Sequence, residues 1–426
     1  MMICRLFTHK ITAIPIFLAV MACVFYITFN TAGRLLENML SFCVDGAAEA
    51  LSTILSRLDA PPLLTSLLID GIWAGVGSVL SFIPVIATLF FLLSLLEESG
   101  YLSSVAAILD GPMSRVGLSG RCVVPMISGF GCSVPAVLAA ASISDKRTRL
   151  ITVSLIPFMS CSAKLPIYSM FAAAFFDSYR LLAIICVYVI GIIAALICGL
   201  AAKYLCPVPG HRQRHPAVCR YHSPGSCSTP SRSLLRIPDM RIVTSAAVSS
   251  AAGFVKKAFT VILAASAIIW FLRSFDTAFQ FSPDGSNSLL ACLGKTVAPL
   301  LAPLGFEDWR AAAAIIAGLS AKEAVISTFA VLSSSGSPTD GFSAGLYDNS
   351  AALSQILLHT FTPPAALSFM VFCLLYAPCV ATLSAVKSHA GGAKQAIAMF
   401  CINTAAAWVI AFAVYRIGLL ICHIST

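Results

Sequence analysis

Three cysteines stand beside glycines or prolines in stretches that are otherwise apolar. Cys132 lies in GFGCSVP (Gly129 to Pro135), Cys161 in LIPFMSCSAKLP (Leu155 to Pro166), and Cys379 in LLYAPCVAT (Leu374 to Thr382). Proline removes a backbone donor and frees a carbonyl one turn back. Unwound helices in a membrane expose carbonyls that coordinate cations. Thiolate and thioether ligands add affinity for softer transition metals over Mg2+ or Ca2+. Three cysteines at three breaks therefore mark a candidate path for a metal ion. Met159, Ser160, Ser162 and Lys164 surround the second break as supporting groups. The competing reading is packing at ordinary proline kinks.

Charges inside apolar runs are the second signal, because they are costly and so point to function. Lys322 and Glu323 sit in GLSAKEAVIS, and Lys164 sits in CSAKLP. Lys322 and Glu323 are adjacent and point to different sides of a helix, so they do not pair with each other. Two roles are open to Glu323: neutralising a passing cation, or pairing with Lys164 to lock the fold. Glu97 and Glu98 close an apolar segment and read as a solvated helix end. The chain contains no GxxxxGK[ST], no GxGxxG after a strand, no HExxH and no GxSxG, so catalysis and a bound nucleotide have no visible basis.

The elements that must position these groups follow from composition. Of 426 residues, 58% are AVILMFWYC and only 11% are charged, with mean hydropathy +0.91. A soluble chain carries about 25% charged residues. A soluble enzyme, a nucleic-acid-binding module and a disordered chain are thereby excluded. The apolar runs are too long for barrel strands, and in lipid the backbone must satisfy itself within each helix. The expectation is an all-α, polytopic helical membrane protein with about eight to ten membrane segments. They fall near 11–30, 75–96, 122–143, 150–176, 181–204, 254–275, 309–331, 365–386 and 396–421.

Four regions follow. Residues 1–74 hold a first membrane helix, preceded by Arg5 and Lys10, and an interfacial amphipathic segment marked by Leu51, Ile54, Leu55 and Leu58. Residues 75–204 form a first repeat and a following helix. Residues 205–241 are a basic loop, with Arg212, Arg214, Arg220, Arg232, Arg236 and Arg241 against Asp239, which places it in the cytoplasm. Its His211, His215, His222, Cys219 and Cys227 match no zinc spacing. Residues 242–426 hold a second repeat and the C-terminal helices. Segment 122–143 conflicts with the charge rule: Arg115 and Arg121 precede it, and Lys146, Arg147 and Arg149 follow it. It is either re-entrant or a span against the rule.

The repeat is read from glycine spacing. Gly117 aligns with Gly305 and, with one insertion, Gly129 with Gly318; CSAKL (Cys161 to Leu165) matches CVATL (Cys379 to Leu383). Transporters are commonly built from two such halves with broken helices at the midplane. Sixteen cysteines do not make a disulfide framework here. Cys23, Cys186, Cys198 and Cys401, inside uninterrupted runs, are expected as small buried hydrophobes.

These motifs also carry a resemblance. The stretches GVGSVLSFIP, LLEESGYLSSVAAILDGPMSRVGLSGRCVVPMISGFGCSVPA, DKRTRLITVSLIPFMSCSAKLPIYSMFAAAFF, GLSAKEAVISTFAVL and LSFMVFCLLYAPCVATLSAVK resemble the membrane domain of the FeoB ferrous iron transporter family, over residues 9 to 420. The two halves resemble that family's Gate domain, which nucleoside-transporter-like proteins share. The resemblance implies Fe2+ as transported substrate across a bacterial cytoplasmic membrane, with Cys132, Cys161 and Cys379 at the family's proposed iron-path positions. Members usually carry an N-terminal G-protein domain, whereas this chain starts almost at its first membrane helix. GTP is therefore expected only through a separate G-protein partner, beside a small FeoA-like protein, with no cofactor in this chain and no nucleic acid. The partners otherwise expected are the lipid bilayer and further copies of the chain. A Gate-repeat transporter of a nucleoside-like substrate and a non-transporting paralogue are the alternatives.

Overall fold

The computed structural model describes residues 10–115, 119–205, 237–281, 288–333 and 350–425. Among the described residues the chain is helical, and β pairing is confined to the isolated bridges Phe275–Phe281 and Asp276–Ser288. The principal helices are α1 (Lys10–Asn30), α2 (Ala32–Arg57), α3 (Ala74–Glu98), α4 (Tyr101–Arg115), α5 (Val123–Gly131) and α6 (Ser133–Ala141). They continue as α7 (Lys146–Leu155), α8 (Leu165–Phe175), α9 (Arg180–Leu205), α10 (Met240–Ser274), α11 (Leu289–Leu301) and α12 (Trp309–Ala317). The last are α13 (Ala324–Ser333), α14 (Ser350–Thr360), α15 (Pro363–Leu375), α16 (Val380–Ala385) and α17 (Gly392–Ser425).

Among the described residues six helical stretches are long and apolar enough to cross a membrane: Pro15–Arg57, Pro62–Glu98, Lys146–Phe175, Asp177–Ala202, Pro363–Ala390 and Gly392–Cys422. A seventh is reached if Leu289–Leu304 and Trp309–Ala317, bent by 105°, make one broken span. The chain is thus a multi-pass helical membrane protein. Two of the expected segments are not continuous helices. Segment 122–143 is in fact two nine-residue helices, α5 and α6, split at Cys132. Each rises about 14 Å, short of a hydrocarbon core of about 30 Å. The two halves pack on one another, which suits the re-entrant reading and lets both basic flanks stay on one side. Segment 309–331 is likewise split into α12 and α13 around residues 318–323.

The two repeats share one core. Phe171 of α8 stacks on Phe369 of α15 (4.9 Å between ring centres) and meets Phe361 edge-on (5.3 Å), while Phe306 meets Phe369 edge-on at 5.4 Å. A smaller cluster joins Phe17 and Met21 of α1 to Tyr101, Leu102 and Val105 of α4. Outside these cores α9 shows Leu181, Leu182, Ile185, Val189, Ile193 and Ile197 on its surface. That face is what a lipid-facing helix requires.

One expectation about single residues changes. Cys23, Cys186 and Cys401 are exposed on the protein surface and do not form part of the core, while Cys198 is half-buried and packs against it. Lipid and core are both apolar, so hydrophobicity alone does not tell which face of a membrane helix is inside. Gly117 and the loop residues Arg212, Arg214, Arg220, Arg232, Arg236, His211, His215, His222, Cys219 and Cys227 lie outside the described residues. At the rim of α7, Asp145 caps the helix by accepting from Thr148 N (2.7 Å), and these bonds from Thr148 hold its carboxyl below the usual range.

Gly305 ends the turn after α11 at φ +93°, a region where side chains are strained. A Cβ there would also strike the Tyr415 ring of α17. Gly392 has φ +82° but open space around its Cβ position. Gly305→Ala is expected to lower the thermal unfolding midpoint of the detergent-purified chain clearly more than Gly392→Ala. The backbone term is about 1–3 kcal/mol for both, and only Gly305 adds the collision. Equal shifts in differential scanning fluorimetry would contradict this packing.

Candidate metal path

Each of the three expected cysteines occupies the same kind of position: an extended residue immediately before a short helical segment. Cys132 (φ −152°, ψ 133°) separates α5 from α6. Cys161 (φ −75°, ψ 161°) precedes the turn Ser162–Lys164. Cys379 (φ −61°, ψ 157°) precedes α16. The sequence enforces the last two. Pro157 sits in the tight turn Ile156–Phe158, and Pro378 disfavours helical backbone at Ala377. None of the three thiols caps its helix by a side-chain hydrogen bond. Cys379 Sγ lies 3.2 Å from Thr382 Oγ1.

Polar side chains sew the breaks together. Ser162 Oγ donates to the Gly131 carbonyl (3.1 Å), joining the first break to the second. Lys164 Nζ donates to the carbonyls of Leu374 (2.6 Å), Pro157 (3.1 Å) and Met159 (3.5 Å), joining the second to the third. In the second repeat Lys322 Nζ donates to the Ala377 carbonyl (2.8 Å) and sits 3.1 Å from the centre of the Tyr376 ring. Tyr376 in turn donates to the Ile315 carbonyl (3.3 Å) of α12, and Val380 N donates to the Leu319 carbonyl (2.9 Å). Ser160 is buried and donates to Tyr168 Oη (3.2 Å). Met159 is buried against Gly129, where a Cβ would lie 3.2 Å from Met159 Cβ.

The structure therefore gathers Cys132, Cys161, Cys379, Met159, Ser160, Ser162, Lys164 and Lys322 around one meeting point of both repeats. Among the described residues, however, no three His, Cys, Asp or Glu side chains converge closely enough to hold one metal ion together. This arrangement can offer thiols one after another, as a conducting path needs, because a site that binds too well does not release.

Glu323 stands apart. The pairing of Glu323 with Lys164 is not formed, because the Lys164 ammonium is taken up by three carbonyls. Glu323 lies in the turn before α13, and its charged neighbour is Glu37 of α2. Glu97 is exposed at the end of α3, as a solvated helix end should be. Sequence reasoning missed Tyr376 and the carbonyls of Leu374 and Ala377 as partners of the lysines. A lone tyrosine hydroxyl next to Ala-Pro in an apolar run was the available signal for Tyr376.

Broken helices that meet at a polar centre within an apolar shell define a multi-pass helical membrane protein. The family model described as Gate, nucleoside recognition, matches residues 79–175 and 255–393, more than half of the chain and including all three cysteines. The chain belongs to this Gate family. It is 36% identical over 416 residues to the Fe(2+) transporter FeoB of Staphylococcus aureus (strain COL), covering 97% of this chain and 58% of that protein. It is 32% identical to the Fe(2+) transport protein A/Fe(2+) transporter FeoB fusion protein of Porphyromonas gingivalis (strain ATCC BAA-308 / W83), covering 97% of this chain and 51% of that protein. The chain thus spans little more than half the length of these curated relatives. A solved structure of CNTnw in an outward-facing state aligns over 93% of this chain and 91% of that one, with 15% identity and a TM-score of 0.41.

Proposed function

We propose that this chain is the permease part of a ferrous iron uptake system in a bacterial cytoplasmic membrane. The observation that carries this reading is the meeting of three helix breaks, each led by a cysteine, at the contact of the two Gate halves. Exposed carbonyls give a dehydrating cation oxygen ligands, and the thiols give a borderline-soft metal what Na+ or Mg2+ does not need. The FeoB relatives carry the same assignment in their names. Fe2+ is the cargo in this reading. The fusion of a transport protein A to FeoB in Porphyromonas gingivalis supports a small FeoA-like partner as well.

A nucleoside-like cargo is the second reading, favoured by the description of the family model. It fits this centre less well. A base and ribose need side-chain donors and acceptors free to pair, whereas Ser162, Lys164, Lys322 and Tyr376 are already engaged. Uptake of radiolabelled Fe2+ and of labelled uridine, in a host lacking its own iron and nucleoside transporters, separates the two. Expression with a co-expressed G-domain protein is expected to raise Fe2+ entry and leave uridine entry at background. Uridine entry without Fe2+ entry would overturn the proposal.

A further inference from the structure

The two buried lysines are the least expected groups at the centre. Lys164 and Lys322 are 3% and 4% exposed. Among the described residues neither ammonium is bonded to a carboxylate: their partners are the carbonyl oxygens of Pro157, Met159, Leu374 and Ala377 and the face of Tyr376. A buried ion needs compensation, and here backbone dipoles and an aromatic ring provide it. Those same carbonyls are freed by the breaks at 156–161 and 376–379. Oxygen cradles of this kind take cations by size and charge.

We propose that the carbonyls of Pro157, Met159 and Leu374, and the carbonyl of Ala377 beside the Tyr376 ring, offer two cation positions on the path, which Lys164 and Lys322 respectively fill as tethered cations that a cargo cation must displace. The assignment of cargo rests on the ferrous iron reading above; the site itself does not. Two ammonium groups and a divalent ion repel strongly in a low-dielectric centre, so lysine and cargo exclude one another there. A lysine suits the role because its charge rides on a flexible four-carbon stem that can withdraw. Cys161 and Cys379, which lead the two breaks that free these carbonyls, then meet the metal once the ammonium groups have left.

The full chain reconstituted in liposomes tests this with two probes: Tl+, a monovalent cation, and Fe2+ kept reduced, each read by an enclosed dye. Lys164→Gln and Lys322→Gln keep a donor for the Leu374 and Ala377 carbonyls and remove the charge. Each is expected to raise passive Tl+ entry at least about tenfold over the parent, a modest change for lowering a barrier on a path. Lys394→Gln removes a charge at an exposed residue away from the breaks and is expected to stay within about twofold of the parent. Unchanged Tl+ entry in both glutamine variants, or an equal rise in Lys394→Gln, overturns the tethered-cation site whatever Fe2+ does. A rise in Tl+ entry with no Fe2+ entry in parent or variants keeps the site and overturns the iron reading. If the glutamine variants do not reconstitute, acylation of the parent decides: Tl+ on both sides should speed modification of Lys322 severalfold and leave exposed Lys394 unchanged. Equal rates at Lys322 with and without Tl+ overturn the proposal.

Discussion

Serine at Cys161 or at Cys379 is expected to cut Fe2+ uptake at least about tenfold at equal expression, the range seen when groups supporting a metal site are lost. Cys132→Ser is expected to act in the same direction. Serine is nearly isosteric, but it is a harder and far less acidic ligand, so it removes coordination and spares packing. The structure sharpens the controls. Cys186 and Cys401 are exposed on α9 and α17, away from the breaks, so Cys186→Ser and Cys401→Ser are expected to transport at parental rates. The three path cysteines are only partly buried and cap nothing through their thiols. A loss on replacement would therefore not be a folding effect, and an unchanged melting profile checks that. Parental uptake in all three single variants would remove the thiols from the path. Equal losses in the controls would show that any thiol change harms the chain.

The breaks themselves were legible in the sequence because glycine and proline constrain the backbone directly. Pro157 and Pro378 stand at the breaks and Pro166 in the first turn of α8, whereas Pro15, Pro84 and Pro299 lie inside continuous helices, so it is proline beside further small or extended residues that marks a break. The doubling of the fold was legible for the same reason: the paired motifs CSAKL and CVATL both open a short helical turn after an extended cysteine. What joins the breaks was not legible. Lys164 finds the Leu374 carbonyl 210 positions away, and a backbone acceptor has no identity in a sequence. A carboxylate was the partner expected for a buried lysine, and Glu323 was the nearest in motif; carbonyls released by proline proved sufficient. The split of segment 122–143 was not legible either, because hydropathy registers an apolar run and not the turn at Cys132 inside it.

Gly318 is where stability and the path meet, and Gly318→Ala is expected to damage both. Gly318 ends α12 with ordinary helical angles (φ −64°, ψ −7°), so backbone strain is not the reason for glycine there. Space is: a Cβ would lie 2.5 Å from Tyr376 Oη and collide with Val325. Tyr376 cannot yield freely, because its hydroxyl is bonded to the Ile315 carbonyl and its ring carries the Lys322 ammonium. Overpacking of this kind costs about 1–3 kcal/mol, and losing the tyrosine hydrogen bond adds about 1 kcal/mol. Gly253, inside α10, has nothing within 4 Å of its Cβ position. Gly253→Ala should therefore gain up to about 1 kcal/mol from helix propensity. The two glycine-to-alanine changes are thus expected to shift the unfolding midpoint in opposite directions. Gly318→Ala should also lower Fe2+ uptake per folded molecule, since the Tyr376 ring must move off Lys322, and Gly318→Val should abolish it. If Gly318→Ala melts and transports like the parent, Tyr376 is free to move and does not hold Lys322 in place.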